Sequence, residues 1–211
     1  DQGELSTNTT SLVLPGYSLT YRDKDSELNI NNGTYLQMLT QIGREGYGSD
    51  IDFAKAVVEA TLIRTFNNVH RITIRGEAGV IKTNSFDEVP TSLRFYAGGD
   101  KSVRGFDYRE ISPTAEVIDP ETGELIVDSI GGKYLATSSV EYAYQVADNW
   151  RVAAFVDAGT ATNDTSTTLT YSVGPGVHWL SPIGPVRLYV ARGFAPDENT
   201  WQLHILLGPE L

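Results

Sequence analysis

The sequence predicts an all-β protein, an antiparallel transmembrane β-barrel of the outer-membrane type. Three observations carry that reading. Hydrophobicity alternates with period two along most of the 211 residues, and helical periodicity is almost missing. The alternating segments run to about 10 residues or more, where a globular strand averages about 5–6. Their connections alternate too: Ala147-Asp148-Asn149 and Ser181-Pro182-Ile183-Gly184-Pro185 are short turns, while 159–168 and 89–132 are long excursions.

About nine strands follow from the alternation. They are expected at 12–22, 34–44, 53–66, 70–82, 133–146, 150–159, 169–180, 186–192 and 201–208. In 70–82, Ile72, Ile74, Ala78 and Val80 oppose Arg71, Thr73, Arg75 and Glu77. In 133–146, Tyr134, Val140, Tyr142 and Tyr144 share one face, and Thr137, Ser139, Glu141 and Gln145 the other. In 150–159, Trp150, Val152 and Val156 oppose Arg151, Phe155 and Asp157. The last strand sets Trp201, Leu203, Ile205 and Leu207 against Gln202 and His204. A soluble sandwich buries such an apolar face, whereas a membrane barrel turns it to lipid and lines its lumen with the polar one. Strand length and connection pattern favour the barrel. Two loops stand out. Residues 23–32 form a polar turn, and 118–127 read as a small acidic hairpin with Pro120 and Gly123 at turn positions.

Composition excludes several classes. The chain is 40% hydrophobic, and no stretch approaches the roughly 20 apolar residues of a membrane helix. A net charge of -11 argues against binding nucleic acid, which needs a basic face. There are no cysteines, and His70, His178 and His204 lack metal-ligand spacing, so no metal site is expected and the histidines read as lumen or turn residues. Gly98-Gly99-Asp100-Lys101-Ser102 lacks the spacing of a phosphate loop, and no Gly-x-Ser-x-Gly elbow occurs. No cofactor is expected. The start, Asp1-Gln2-Gly3-Glu4, carries no signal peptide, so the chain reads as a mature protein or an excised piece.

The most informative segment is Arg94-Phe95-Tyr96-Ala97-Gly98-Gly99-Asp100-Lys101-Ser102-Val103-Arg104-Gly105-Phe106. Further blocks follow it: Gly131-Gly132 before a strand containing Glu141, then Phe155-Val156-Asp157-Ala158-Gly159, then Gly174-x-Gly176-x-x-Trp179-x-Ser181-Pro182-x-Gly184-Pro185. In this order the blocks resemble the outer-membrane protein assembly family, the BamA/TamA-type barrels. Ser92-Leu93-Arg94-Phe95-Tyr96 and the ending Gly208-Pro209-Glu210-Leu211 look closer to the TamA branch, since BamA-type chains usually end on an aromatic residue.

The resemblance carries expectations. The family barrel has about sixteen strands preceded by periplasmic POTRA domains, so residues 1–211 are expected to be the C-terminal part of a larger barrel whose first strands and POTRA domains lie outside the sequence. The loop motif Gly98, Gly99, Asp100, Val103, Arg104, Gly105 and Phe106 is expected to fold into the lumen, where Arg104 meets Glu141 and Asp157. A guanidinium can fork onto a carboxylate as lysine cannot. Residue chemistry alone favours reading Arg104 as an exposed loop arginine beside acids that line a wet lumen; the resemblance favours the lock. The terminal strand, with Trp201, Leu203, Ile205 and Gly208, is expected to form a weak lateral seam that templates incoming strands by β-augmentation; Gly208 reads as well as an ordinary strand-end glycine. The implied function is insertion or translocation of β-barrel and autotransporter clients in the outer membrane of a Gram-negative bacterium. The implied partners are the lipid bilayer, nascent clients and a periplasm-spanning TamB-type protein. Alternatives are a BamA-type general insertase, a dedicated two-partner secretion pore, a passive porin, and, more distantly, a barrel enzyme with Glu141 and Asp157 as an acid/base pair.

Overall fold

Period-two alternation becomes nine long antiparallel strands, joined mostly by hairpins. The structure, a computed structural model, describes residues 10–118, 123–164, 169–196 and 199–211. The strands are β1 (Gly16–Lys24), β2 (Gly33–Gly43), β3 (Phe53–Phe66), β4 (His70–Thr83), β5 (Thr114–Ile118), β6 (Leu125–Ser129), β7 (Tyr134–Ala147), β8 (Trp150–Thr162), β9 (Thr170–Ser181), β10 (Gly184–Phe194) and β11 (Asn199–Leu207). One sheet runs β1-β2-β3-β4-β7-β8-β9-β10-β11, and β5-β6 form a separate two-stranded ribbon inside the long β4–β7 connection. The ribbon is the expected acidic hairpin, although residues 119–122 of its turn lie outside the described residues, as do 165–168 of the β8–β9 loop. The large sheet has two edges, β1 and β11, so among the described residues it is an open segment of barrel wall.

Burial is inside-out relative to a soluble protein. Along β7, Val140, Tyr142, Tyr144 and Val146 are exposed, while Ser139, Glu141 and Ala143 are buried. Along β8, Trp150, Val152 and Val156 are exposed and Arg151, Ala153, Phe155 and Asp157 are buried. Only a lipid-facing exterior makes such an outer surface favourable in its working environment. Aromatic residues mark its limits. Trp150 and Trp179 stack at the short-turn end with ring centroids 6.2 Å apart, and Tyr171 stacks on Phe194 at 4.9 Å near the long-loop end. Tyr171 pairs with Ala158, eight residues along β8 from Trp150. That is about 26 Å of strand, or about 20 Å of membrane at the usual tilt, against an apolar band of about 25 Å.

Most connections sort by length, as the sequence implies; the eight-residue β1–β2 connection at the short-turn end and the four-residue β10–β11 connection at the other are exceptions. On one side, β3 and β4 join through Asn67 and Asn68, both at positive φ (50° and 60°), the tight turn that suits strand twist. On the other side runs the β4–β7 connection, which returns into the concave face. There Phe53, Ile81, Val89, Phe95, Ala97, Leu135 and Ala161 form an apolar core between wall and loop.

Most boundaries shift by one to four residues from expectation, and three of the shifts have a clear local cause. The first strand begins at Gly16 rather than Leu12. Pro15 has no N–H for the ladder, so Ser11 and Val13 bond instead to the side chains of Asp50 and Ser49, at 2.6 and 3.0 Å. The eighth strand extends to Thr162 because its ladder with β7 continues up to Tyr134. The last strand ends at Leu207, because Gly208 adopts φ 95° and turns the tail inward.

Candidate functional site

The loop is carried inward by its own backbone and by Arg94. Phe95 and Gly132 exchange hydrogen bonds of 3.0 and 2.7 Å, and Ala97 and Ile111 bonds of 2.9 and 3.0 Å. Arg94 Nε donates to the Val89 carbonyl at 2.8 Å, and its terminal nitrogens donate to Ile130, Phe86 and Asp87 carbonyls. The tip then doubles back tightly. Ser102 N–H donates to Gly99 O at 3.1 Å and Gly99 N–H to Phe106 O at 3.1 Å. Gly98, Gly99 and Gly105 take φ of 101°, 97° and 91°, which a side chain would oppose.

This turn delivers Arg104 to the wall. Its Nε donates to Asp157 Oδ2 at 2.8 Å and its Nη2 to Asp157 Oδ1 at 2.8 Å, a fork on one carboxylate. Nη1 donates to Glu141 Oε2 at 2.6 Å, and Nη2 also to Ser139 Oγ at 3.2 Å. The Arg104 backbone N–H reaches Asp157 Oδ2 as well, at 3.0 Å. The guanidinium lies over the Phe155 ring at 3.5 Å and the Tyr189 ring at 4.5 Å from their centroids. Arg104 is 2% exposed and Asp157 0%. Burial by itself lowers the Arg104 pKa; the Asp157 hydrogen bonds and the charges of Asp157 and Glu141 outweigh it, and the guanidinium is held above its ordinary value. Both carboxylates are thus committed to one cation. Beneath Glu141, His178 Nε2 lies 3.4 Å from Oε1 and 2.9 Å from the Tyr189 hydroxyl.

Around this clamp the wall is notched by glycines that the sequence reading did not single out as seats. A Cβ on Gly159 would meet the Val103 side chain at 2.8 Å, and one on Gly193 would meet the Phe106 ring at 2.6 Å. Gly79 sits under the Phe95 ring in the same way. Val103 and Phe106, fully buried, occupy the space these glycines leave. The signal available was a glycine on the polar face of a strand, where nothing in the sequence names its opposite number.

The remaining predicted residues fall in two groups. Asp100 lies against β11, its Oδ1 at 2.5 Å from His204 Nδ1. Trp201, Leu203 and Ile205 point outward on β11, 64%, 65% and 56% exposed, and take no part in the clamp. Gly208 lies just past the strand, and the tail beyond it brings Glu210 between Arg187, at 2.7 Å, and Arg71. The expectations for Ser139, Gln202 and His204 went no further than a polar face, and Thr200 fell outside the expected last strand; all four touch the loop.

An inside-out antiparallel wall, belted by aromatics and with a loop drawn into its concave face, defines a bacterial outer-membrane β-barrel. The chain belongs to the Omp85 superfamily, whose domain profile matches residues 2–208. Membership places it in the outer membrane of a Gram-negative bacterium. It is 34% identical over 182 residues to the outer membrane protein assembly factor BamA of Nitratidesulfovibrio vulgaris, covering 83% of this chain and 22% of that protein. It is 29% identical to the BamA of Neisseria meningitidis, covering 76% of this chain and 24% of that protein. The chain therefore spans between a fifth and a quarter of the length of these relatives. In fold it is similar to the crystal structure of BamA from Haemophilus ducreyi lacking POTRA domains 1–3, with a TM-score of 0.73 at 22% identity over 92% of this chain and 41% of that one.

Proposed function

We propose that this chain is the C-terminal part of the barrel of an outer-membrane assembly factor, which helps insert or translocate β-barrel proteins, autotransporters among them. The observation that carries the reading is the Arg104 clamp. A loop held in the lumen by a fully buried ion pair gives a defined interior beside an edge that can part, which is what an assembly protein needs. In this reading Arg104, with Gly98, Gly99, Asp100, Val103, Gly105 and Phe106, locks the loop to Glu141 and Asp157. The β11 edge, ending at Gly208, offers unpaired backbone to incoming client strands. The work is positioning; Glu141 and Asp157 are occupied by Arg104 rather than free for acid/base chemistry. First strands and POTRA domains outside this chain complete the protein, and a periplasm-spanning TamB-type partner docks on those domains.

Two branches of the family fit. The Ser92–Tyr96 block supports a TamA-like subunit devoted to a subset of clients. Similarity to the BamA proteins of two organisms supports a general insertase, and it rests on many more residues. The test is reconstitution of the full-length protein in lipid vesicles with an unfolded barrel client. Arg104→Ala is expected to leave the protein inserted, to expose the loop to protease and to slow client insertion. Unchanged loop cleavage together with full insertion activity overturns the lock.

A further inference from the structure

The signature loop touches more of the wall than the Arg104 clamp needs. Successive residues hold on to different parts of the sheet. Arg104 is bound by β7 and β8, while Gly105, next to it, is bound by β11, three strands further along. Thr200, Gln202 and His204 alternate along β11 and share its inner face. All three bond to the loop. The Thr200 hydroxyl donates to the Gly105 carbonyl. Gln202 Nε2 donates to Asp107 Oδ1 at 3.0 Å. His204 Nε2 takes the Gly105 N–H at 2.8 Å, and its Nδ1 faces Asp100 Oδ1 at 2.5 Å.

The chemistry of His204 fixes its form. A backbone N–H can only donate, so Nε2 must present its lone pair; the ring is neutral, and Nδ1–H donates to Asp100. Both backbone groups of Gly105 are thus satisfied by side chains of a single strand. Gly105 can come this close because neither it nor Gly193 carries a Cβ: one added at Gly105 would lie 2.9 Å from Gly193 N. His204 itself is 6% exposed, so these bonds are made away from bulk solvent.

We infer that the loop is a clasp on the seam strand: Thr200, Gln202 and His204 tie β11 to the same loop that Arg104 ties to β7 and β8, so that β11 and the loop loosen together and the clasp restrains lateral opening. The role assigned to opening rests on the assembly reading above; the mechanical coupling does not. Among the described residues β11 has one strand neighbour, β10, and the clasp gives it a second hold on its inner face. His204 is a positioning residue, acting on the seam through Gly105.

The test is hydrogen–deuterium exchange on the full-length protein in lipid vesicles, reading the amides of 98–107 and 199–207. His204→Ala removes the acceptor of a buried N–H and is expected to speed exchange about tenfold in both segments. Arg104→Ala removes contacts to β7, β8 and the Tyr189 ring of β10 but touches nothing on β11, and it too is expected to speed exchange in 199–207, severalfold or more. A local packing role for His204 would not produce that second effect. His204→Gln, whose Oε1 can accept from Gly105, should restore most of the protection. Should His204→Ala fail to fold, as judged by heat-modifiable gel mobility, Thr200→Val deletes only the hydroxyl and should act in the same direction.

Exchange that rises only at the mutated end overturns the clasp. Client insertion, measured on the same vesicles, is a separate arm. Coupled exchange with full insertion by Arg104→Ala supports the clasp and counts against the assembly reading. Uncoupled exchange with impaired insertion counts against the clasp and leaves that reading standing.

Discussion

At the residue scale, the Arg104 site shows how a buried charge is held. Asp157 accepts from Arg104 three times, through Nε, Nη2 and the backbone N–H, whereas Glu141 accepts once. The two acids should therefore differ. Asp157→Ala is expected to cost about 3–5 kcal/mol, the usual penalty for orphaning a buried partner. Glu141→Gln, which leaves the fork intact, should cost clearly less. Denaturant unfolding of the full-length protein in lipid checks the order, and equal losses would contradict it. Arg104→Lys should behave nearly as Arg104→Ala in loop proteolysis, because an ammonium cannot span both carboxylate oxygens and Glu141 together. Arg104, Glu141 and Asp157 stood out in the sequence through the ordered blocks of the family resemblance; acids on polar strand faces did not by themselves pair with the arginine. His204 did not stand out. Its neighbours Trp201, Leu203 and Ile205 mark which face it lies on, but its partner is a loop backbone amide at Gly105, 99 residues away in sequence. No residue pattern encodes that.

At the scale of elements, alternation located nearly every strand, because a wall one layer thick must give each residue to lipid or to lumen. Prediction slipped where backbone chemistry overrode pattern. Pro15 delays β1, and Gly208 at φ 95° ends β11 while the apolar pattern is still running. The faces yield a direct prediction. An aspartate at Val140 or Val156 points to lipid and should impair folding into membranes, by somewhat less than the about 2–4 kcal/mol of a midplane lysine or arginine. Ser139→Asp should insert far better, because it faces Arg104 and Arg75. Equal folding yields in vesicles would overturn the face assignment. The glycine seats add a second prediction. Gly193→Ala drives a methyl into Phe106 and should loosen the loop by about 1–3 kcal/mol, as overpacking does. Gly76→Ala, where the nearest atom is 3.5 Å away, should leave loop proteolysis unchanged.

For the whole molecule, the open sheet, the lipid-facing exterior and the loop-filled interior form one design. Among the described residues the sheet ends in two edges, β1 and β11, and the loop links the β11 edge to the centre of the wall. Architecture at this scale was legible from strand length, turn asymmetry and the ordered motif blocks. The contacts that cross the lumen were not, since they depend on how far the sheet curls. In the proposed reading the locked loop serves assembly of other outer-membrane proteins. Its most direct test is the outer-membrane proteome after depletion of the full-length protein, with rescue by wild type or by Arg104→Ala. Wild type is expected to restore the lost barrels, and Arg104→Ala is expected to fail to do so. Loss of nearly all barrels marks a general insertase, and loss of a subset such as autotransporters marks a TamA-like role. A proteome unchanged by depletion, or fully restored by Arg104→Ala, would contradict the account.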